Sequence, residues 1–138
     1  MSGADVSLAA MRVARPTLEL DRIRSFYEHV VGLPLLGSFA DHDGYDGVIF
    51  GLPDERAQLE LVRSPHGDAP VPTNEDALVL YHRSGEAASD LVDRLQRAGT
   101  VEVTDDPTLN PYWPRRAARC YVDPDGYRLI VVPDEFDA

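Results

Sequence analysis

The same succession of structural signals occurs twice along the 138 residues of this chain, and no other feature limits its possible folds so much. The first pass opens with an extended run over 11–17, closed by Pro16. Leu20, Ile23, Tyr27, Val30 and Val31 then recur at helical spacing with Phe26 beside them, while Asp21, Arg22, Arg24 and Glu28 fall mainly on the other face. Gly32 and Pro34 predict the stop of this helix. Three short strands follow over 35–40, 45–50 and 57–62, separated by the turn-rich runs His42-Asp43-Gly44 and Pro53-Asp54-Glu55. The second pass has an apolar strand over 77–81 and a helix traced by Ala88, Leu91, Val92, Leu95 and Ala98, ending at Gly99. Its three strands lie over 101–104, 117–122 and 127–132, the last two joined by the tight hairpin Asp123-Pro124-Asp125-Gly126.

Offsets agree with a duplication. Gly32 and Gly99 are 67 positions apart, and Pro53-Asp54 lies 71 from Pro124-Asp125, a difference that a longer loop around Asn110 absorbs. The predicted fold is α+β: two paired β-α-β-β-β modules in one domain. A loose terminus covers 1–10, module one 11–63, a linker 64–75, module two 76–133 and a tail 134–138. Neither module can bury both faces of a four-stranded sheet, so we expect helices outside and concave faces paired around a central cavity, the default ligand site.

Composition narrows the partners. All 13 basic residues are Arg against 24 acidic ones, giving net −11, a field that repels phosphate backbones and anionic lipid. Nucleic acid and membrane surfaces are therefore not expected partners, and a cationic or neutral small molecule suits the charge better, unless the acidic surface serves only solubility. The longest apolar runs are far short of a bilayer span, and the start of the chain lacks a basic and apolar leader pattern. A single cysteine, Cys120, allows no internal disulfide and no thiol cluster for zinc or iron and sulfur. A cytoplasmic protein is the expectation.

Four pieces of sequence, in order, carry a family resemblance: the run 19–27 leading to Gly32-Leu33, the strand Leu59-Glu60-Leu61-Val62, the helix end Leu95-Gln96-Arg97-Ala98-Gly99, and the Asp123 to Gly126 hairpin. Nearly the whole chain from Met11 on resembles the vicinal oxygen chelate superfamily of glyoxalases, fosfomycin- and bleomycin-resistance proteins and extradiol dioxygenases. The resemblance implies four cavity side chains, one from the first and one from the last strand of each module, which hold a divalent ion in metal-dependent members. Those positions fall on Arg12, Glu60, Asp76 and Ile130. Arg offers no lone pair and Ile no donor atom, so at most two carboxylates remain, and we expect no metal and no other cofactor.

Arg12 beside Glu60 instead suggests a charge pair at the former metal position, serving either as a salt bridge or as a ligand clamp. Glu60 is also the candidate general base, should a buried setting raise its pKa. Asn110-Pro111-Tyr112-Trp113-Pro114-Arg115-Arg116 is the most unusual local run, with Tyr112, Trp113 and Arg116 either walling one end of the cavity or plugging it. Asp41-His42-Asp43 reads as a solvated hairpin tip, His29, His66 and His82 as unpaired by spacing, and Cys120 as inert core. The functional expectation is a homodimer that binds a small organic ligand without metal. The alternatives are a metal-dependent lyase, isomerase or dioxygenase, or a metal-free enzyme using Glu60 or Asp76 as base.

Overall fold

The computed structural model describes residues 6–136. Module one contains β1 (Met11–Pro16), α1 (Leu20–Ser25), β2 (Leu35–His42), β3 (Tyr45–Gly51) and β4 (Ala57–Arg63). Module two contains β5 (Ala77–Tyr81), α2 (Gly85–Arg97), β6 (Val101–Val103), α3 (Tyr112–Arg115), β7 (Arg119–Val122) and β8 (Arg128–Val132). Both sheets have one topology, with order β1-β4-β3-β2 in the first and β5-β8-β7-β6 in the second. In each, the first strand runs parallel to the last and the other pairings are antiparallel. The duplication read from the sequence is thus the architecture of the molecule.

Several boundaries differ from expectation for identifiable reasons. The first helix continues past Ser25 as a π-helical segment, Phe26–Val31. Its wider turn brings the adjacent pair Phe26 and Tyr27 inward together, and a left-handed Gly32 at φ +85° ends it. β7 begins at Arg119, not 117, because Ala117 adopts φ +57° and cannot lie in a strand. The loop around Asn110 contains one helical turn, α3. Of the predicted loose terminus, residues 1–5 lie outside the described ones, and 6–10 are exposed without helix or strand. The described part of the tail is tied back: His82 N donates to Asp134 O (3.2 Å), and the Phe136 ring meets Tyr81 edge-on.

The expected placement of the helices outside needs amending, because the π-helical continuation of the first helix, Phe26–Val31, packs against α2. Their buried faces merge with Val48, Phe50, Leu59 and Leu61 of the first sheet and with Tyr121, Leu129 and Val131 of the second into one core. Polar ties also cross this junction. Tyr27 OH donates to Asp123 Oδ2 at 2.5 Å, and Arg94 donates to the carbonyls of Val30 (2.8 Å) and Val31 (3.2 Å). Strand alternation sends the remaining side chains to the opposite, concave faces of the two sheets.

Candidate site on the concave sheet faces

Parallel pairing of β1 with β4 sets Arg12 opposite Gln58 and Ala14 opposite Glu60. These residues share the concave face of the first sheet, where Arg12 Nε donates to Gln58 Oε1 (2.8 Å) and Nη1 to Glu60 Oε1 (3.2 Å). Gln58 is oriented in turn by donating to the Glu55 carbonyl at 2.7 Å. The Arg12 side chain is 45% exposed and that of Glu60 16%, so the pair lies at the surface of an open face. Beside it, β3 contributes Ile49, the register partner of Glu60, and β2 contributes Phe39, which pairs with Gly47. A Cβ at position 47 would overlap the Phe39 ring, so glycine is what lets the ring lie flat there.

The matching face of the second sheet is apolar and covered. Ile130 pairs with Val79 on one side and Cys120 on the other, and Ala118, Cys120, Ile130 and Val132 form a separate buried cluster. Leu109 and Trp113 pack over it. Tyr112 and Trp113 meet edge to face at 5.0 Å, and Arg116 binds both Tyr112 OH (3.2 Å) and Asp134 Oδ1 (3.0 Å). Burial raises the Cys120 thiol pKa above its ordinary value, as expected of a core cysteine.

Of the residues expected at the site, Arg12 and Glu60 meet on one sheet, and Ile130 and Trp113 meet on the other. Tyr112 and Arg116 sit at the rim of the second cluster. Asp76 joins neither. Its carboxylate accepts from Thr73 N at 2.7 Å, which holds its pKa below the usual range, and Ala77, one position on, is the residue paired with Arg128. The expectation for Asp76 is one residue out of register, and one residue on a strand is the opposite face. Sequence reasoning missed Gln58, Ile49 and Phe39. Gln58 lies two before Glu60 and was within reach of alternation, whereas Phe39 depends on an irregular β2–β3 register.

The implied divalent ion does not fit these residues. Arg12 carries no lone pair, Ile130 is hydrocarbon, Asp76 is turned away, and among the described residues no three His, Cys, Asp or Glu side chains group for a metal. A larger cavity, about 540 Å³, lies elsewhere, along the outer edge of β5 between Pro53 and α2. His82 lines it with Nδ1 facing the Val132 carbonyl at 3.0 Å. Among the described residues no helix is long and apolar enough to cross a membrane.

Comparison with known proteins agrees with this fold. The YycE-like N-terminal domain model matches residues 11–62 and the YycE-like C-terminal domain model matches 75–132. The chain is 39% identical over 123 residues to protein YycE of Bacillus subtilis, covering 88% of this chain and 86% of that protein. A crystal structure of a Bacillus subtilis YycE protein superposes with TM-score 0.85 at 37% identity, covering 94% of this chain and 93% of that one. More remote structures share the fold. Leishmania major trypanothione-dependent glyoxalase I has TM-score 0.65 at 17% identity over 89% of this chain and 84% of that one. Fosfomycin resistance protein FosX of Listeria monocytogenes has TM-score 0.66 at 11% identity over 96% of each chain. The two modules, their strand order and these matches together establish that the chain belongs to the YycE-like family, on the vicinal oxygen chelate fold.

Proposed function

We propose that this protein binds a small organic ligand without a metal ion, as a homodimer in which the first sheet of one copy faces the second sheet of the other. The carrying observation is the Arg12–Gln58–Glu60 cluster, where a guanidinium is hydrogen-bonded to a carboxylate at 3.2 Å; Arg12 and Glu60 stand at two positions that the family resemblance gives to metal ligands. The listerial FosX structure contains Mn(II) and a dihydroxypropylphosphonic acid. Here the positive charge is built in. Arg12 retains further N–H donors for a ligand oxygen, and Phe39 and Ile49 supply apolar contact beside it. A facing sheet bearing Ile130, with Tyr112, Trp113 and Arg116 at its rim, completes the enclosure. Asp76, though a candidate in the sequence, is left outside it. The single buried cysteine suits a reducing compartment, and we place the protein in the cytoplasm.

Native mass spectrometry of the protein as purified tests this reading. The expected spectrum is a dimer free of stoichiometric transition metal, with a retained small molecule; one bound transition metal per subunit would overturn it. A second reading, in which Glu60 is the base of a metal-free enzyme, is favoured by one detail. Glu60 Oε1 is engaged by Arg12, while Oε2 has no protein hydrogen bond among the described residues and is available to take a proton. Under that reading, Glu60→Gln abolishes turnover of any identified substrate while leaving its binding measurable.

A further inference from the structure

Residues 106–116 cover the concave face of the second sheet. Both flanking residues are non-glycine and left-handed: Asp105 at φ +51° and Ala117 at φ +57°. Between these two bends the segment meets the body through a few named side chains: Thr108, Leu109, Trp113 and Arg116. Leu109 and Trp113 rest on the Cys120, Ile130 and Val132 cluster. Arg128, only 7% exposed, donates Nη1 to Thr108 O (3.2 Å) and Nη2 to Thr108 Oγ1 (2.8 Å) and Asn74 Oδ1 (3.3 Å).

All three acceptors are neutral. Thr108 Oγ1 passes its own proton towards Asp106 Oδ1 at 2.7 Å, so the buried guanidinium reaches a carboxylate only through a hydroxyl. At the other end, Arg116 holds Asp134 at the rim. Beneath the segment on the β6–β7 side a cavity of about 240 Å³ remains, lined in part by Val103, Leu109, Pro114 and Cys120. Packing there is incomplete.

We propose that residues 106–116 form a hinged lid over the concave face of β5–β8, latched by Arg128 on Thr108, which lifts to admit a ligand to that face. The hinges are Asp105 and Ala117. The lid rests on backbone geometry and contacts alone, and it stands whatever the ligand chemistry at Arg12 proves to be.

The molecule carries its own reporters: its one cysteine lies under the lid and its one tryptophan on it. The experiment follows the rate at which 4,4′-dithiodipyridine, a neutral disulfide reagent, modifies Cys120 in the full chain. Loss of a hydrogen bond to a charged group predicts about tenfold faster labelling in Thr108→Val, with Trp113 emission shifted to the red and the global unfolding equilibrium moved by no more than the same tenfold. Thr108→Ser, which keeps the hydroxyl, restores the original rate. Labelling of the original protein should be flat in urea below the unfolding transition, as for local opening. Equal rates in Thr108→Val and the original protein overturn the latch. A rate that climbs with urea in parallel with global unfolding overturns the lid, because the thiol would then be reached only by unfolding.

Discussion

The exposure of Arg12 gives the two roles open to its contact with Glu60 different consequences for stability. A pair whose cation is 45% exposed contributes about 1 kcal/mol or less to stability, since solvent screens it and side-chain entropy opposes it. Arg12→Ala should therefore leave the urea midpoint nearly unchanged while removing the retained ligand; equal ligand retention in the variant would refute the clamp. Tyr27 is the opposite case, being fully buried with its hydroxyl on the buried Asp123. Tyr27→Phe leaves that carboxylate short of a donor, and we expect a loss of about 1.5–3 kcal/mol in urea unfolding. Burial first, and the neighbouring Asp123 second, hold the Tyr27 hydroxyl well above its ordinary pKa of 10.0. Above that pH the unfolded chain releases a proton that the folded chain keeps, so stability present below pH 10 declines as pH rises further. Tyr27→Phe should flatten the decline without abolishing it, because burial also raises Tyr121. That Arg12 and Glu60 meet was legible in the sequence through the family resemblance, because the regular pairing of β1 with β4 sets the two positions side by side. The Tyr27 to Asp123 link was not, because nothing local in either segment states that the first helix lies against the β7–β8 hairpin.

Among the elements, α3 was hidden by its composition. Two prolines in Asn110 to Arg116 read as loop, yet Pro111 is the N-cap of α3 and Pro114 falls in its first turn, where an N–H has no helical partner to lose. The end of α3 is a left-handed cap with Ala117 N on the Pro114 carbonyl and Ala118 N on that of Trp113, a position that glycine usually fills. Ala117→Gly should relieve the strain and raise stability by about 0.5–1 kcal/mol, read from the urea midpoint. The longer elements were read closely because each shows one unbroken apolar period, such as Ala88, Leu91, Val92 and Leu95 on α2. In the first helix the adjacent apolar pairs Phe26-Tyr27 and Val30-Val31 were the visible trace of the π-helical turn. Asp76 was misplaced because it follows a linker of irregular backbone, where counting residues does not carry strand parity across.

At the scale of the whole molecule, the first sheet offers an open polar face and an edge strand with Met11 56% and Val13 44% exposed. An unpaired apolar edge beside an unfilled face is what a second copy would cover. Light scattering should give twice the 15.2 kDa chain mass, and Val13→Asp should yield a monomer with an intact circular dichroism spectrum. At net −11 per chain the copies repel, so raising ionic strength should tighten the dimer, which dilution calorimetry measures. The repeat made two modules legible but not how they meet, since each sheet has two faces and periodicity alone does not select which one turns towards its neighbour.

Tyr27 and Arg94 stand 67 residues apart, the same spacing as the glycines that end the two helices. Equivalent positions of the two repeats thus carry two different fasteners, and both join the halves back to back. Halves fastened that way leave their fronts under separate selection, so one front could keep ionic side chains while its twin was rebuilt in hydrocarbon.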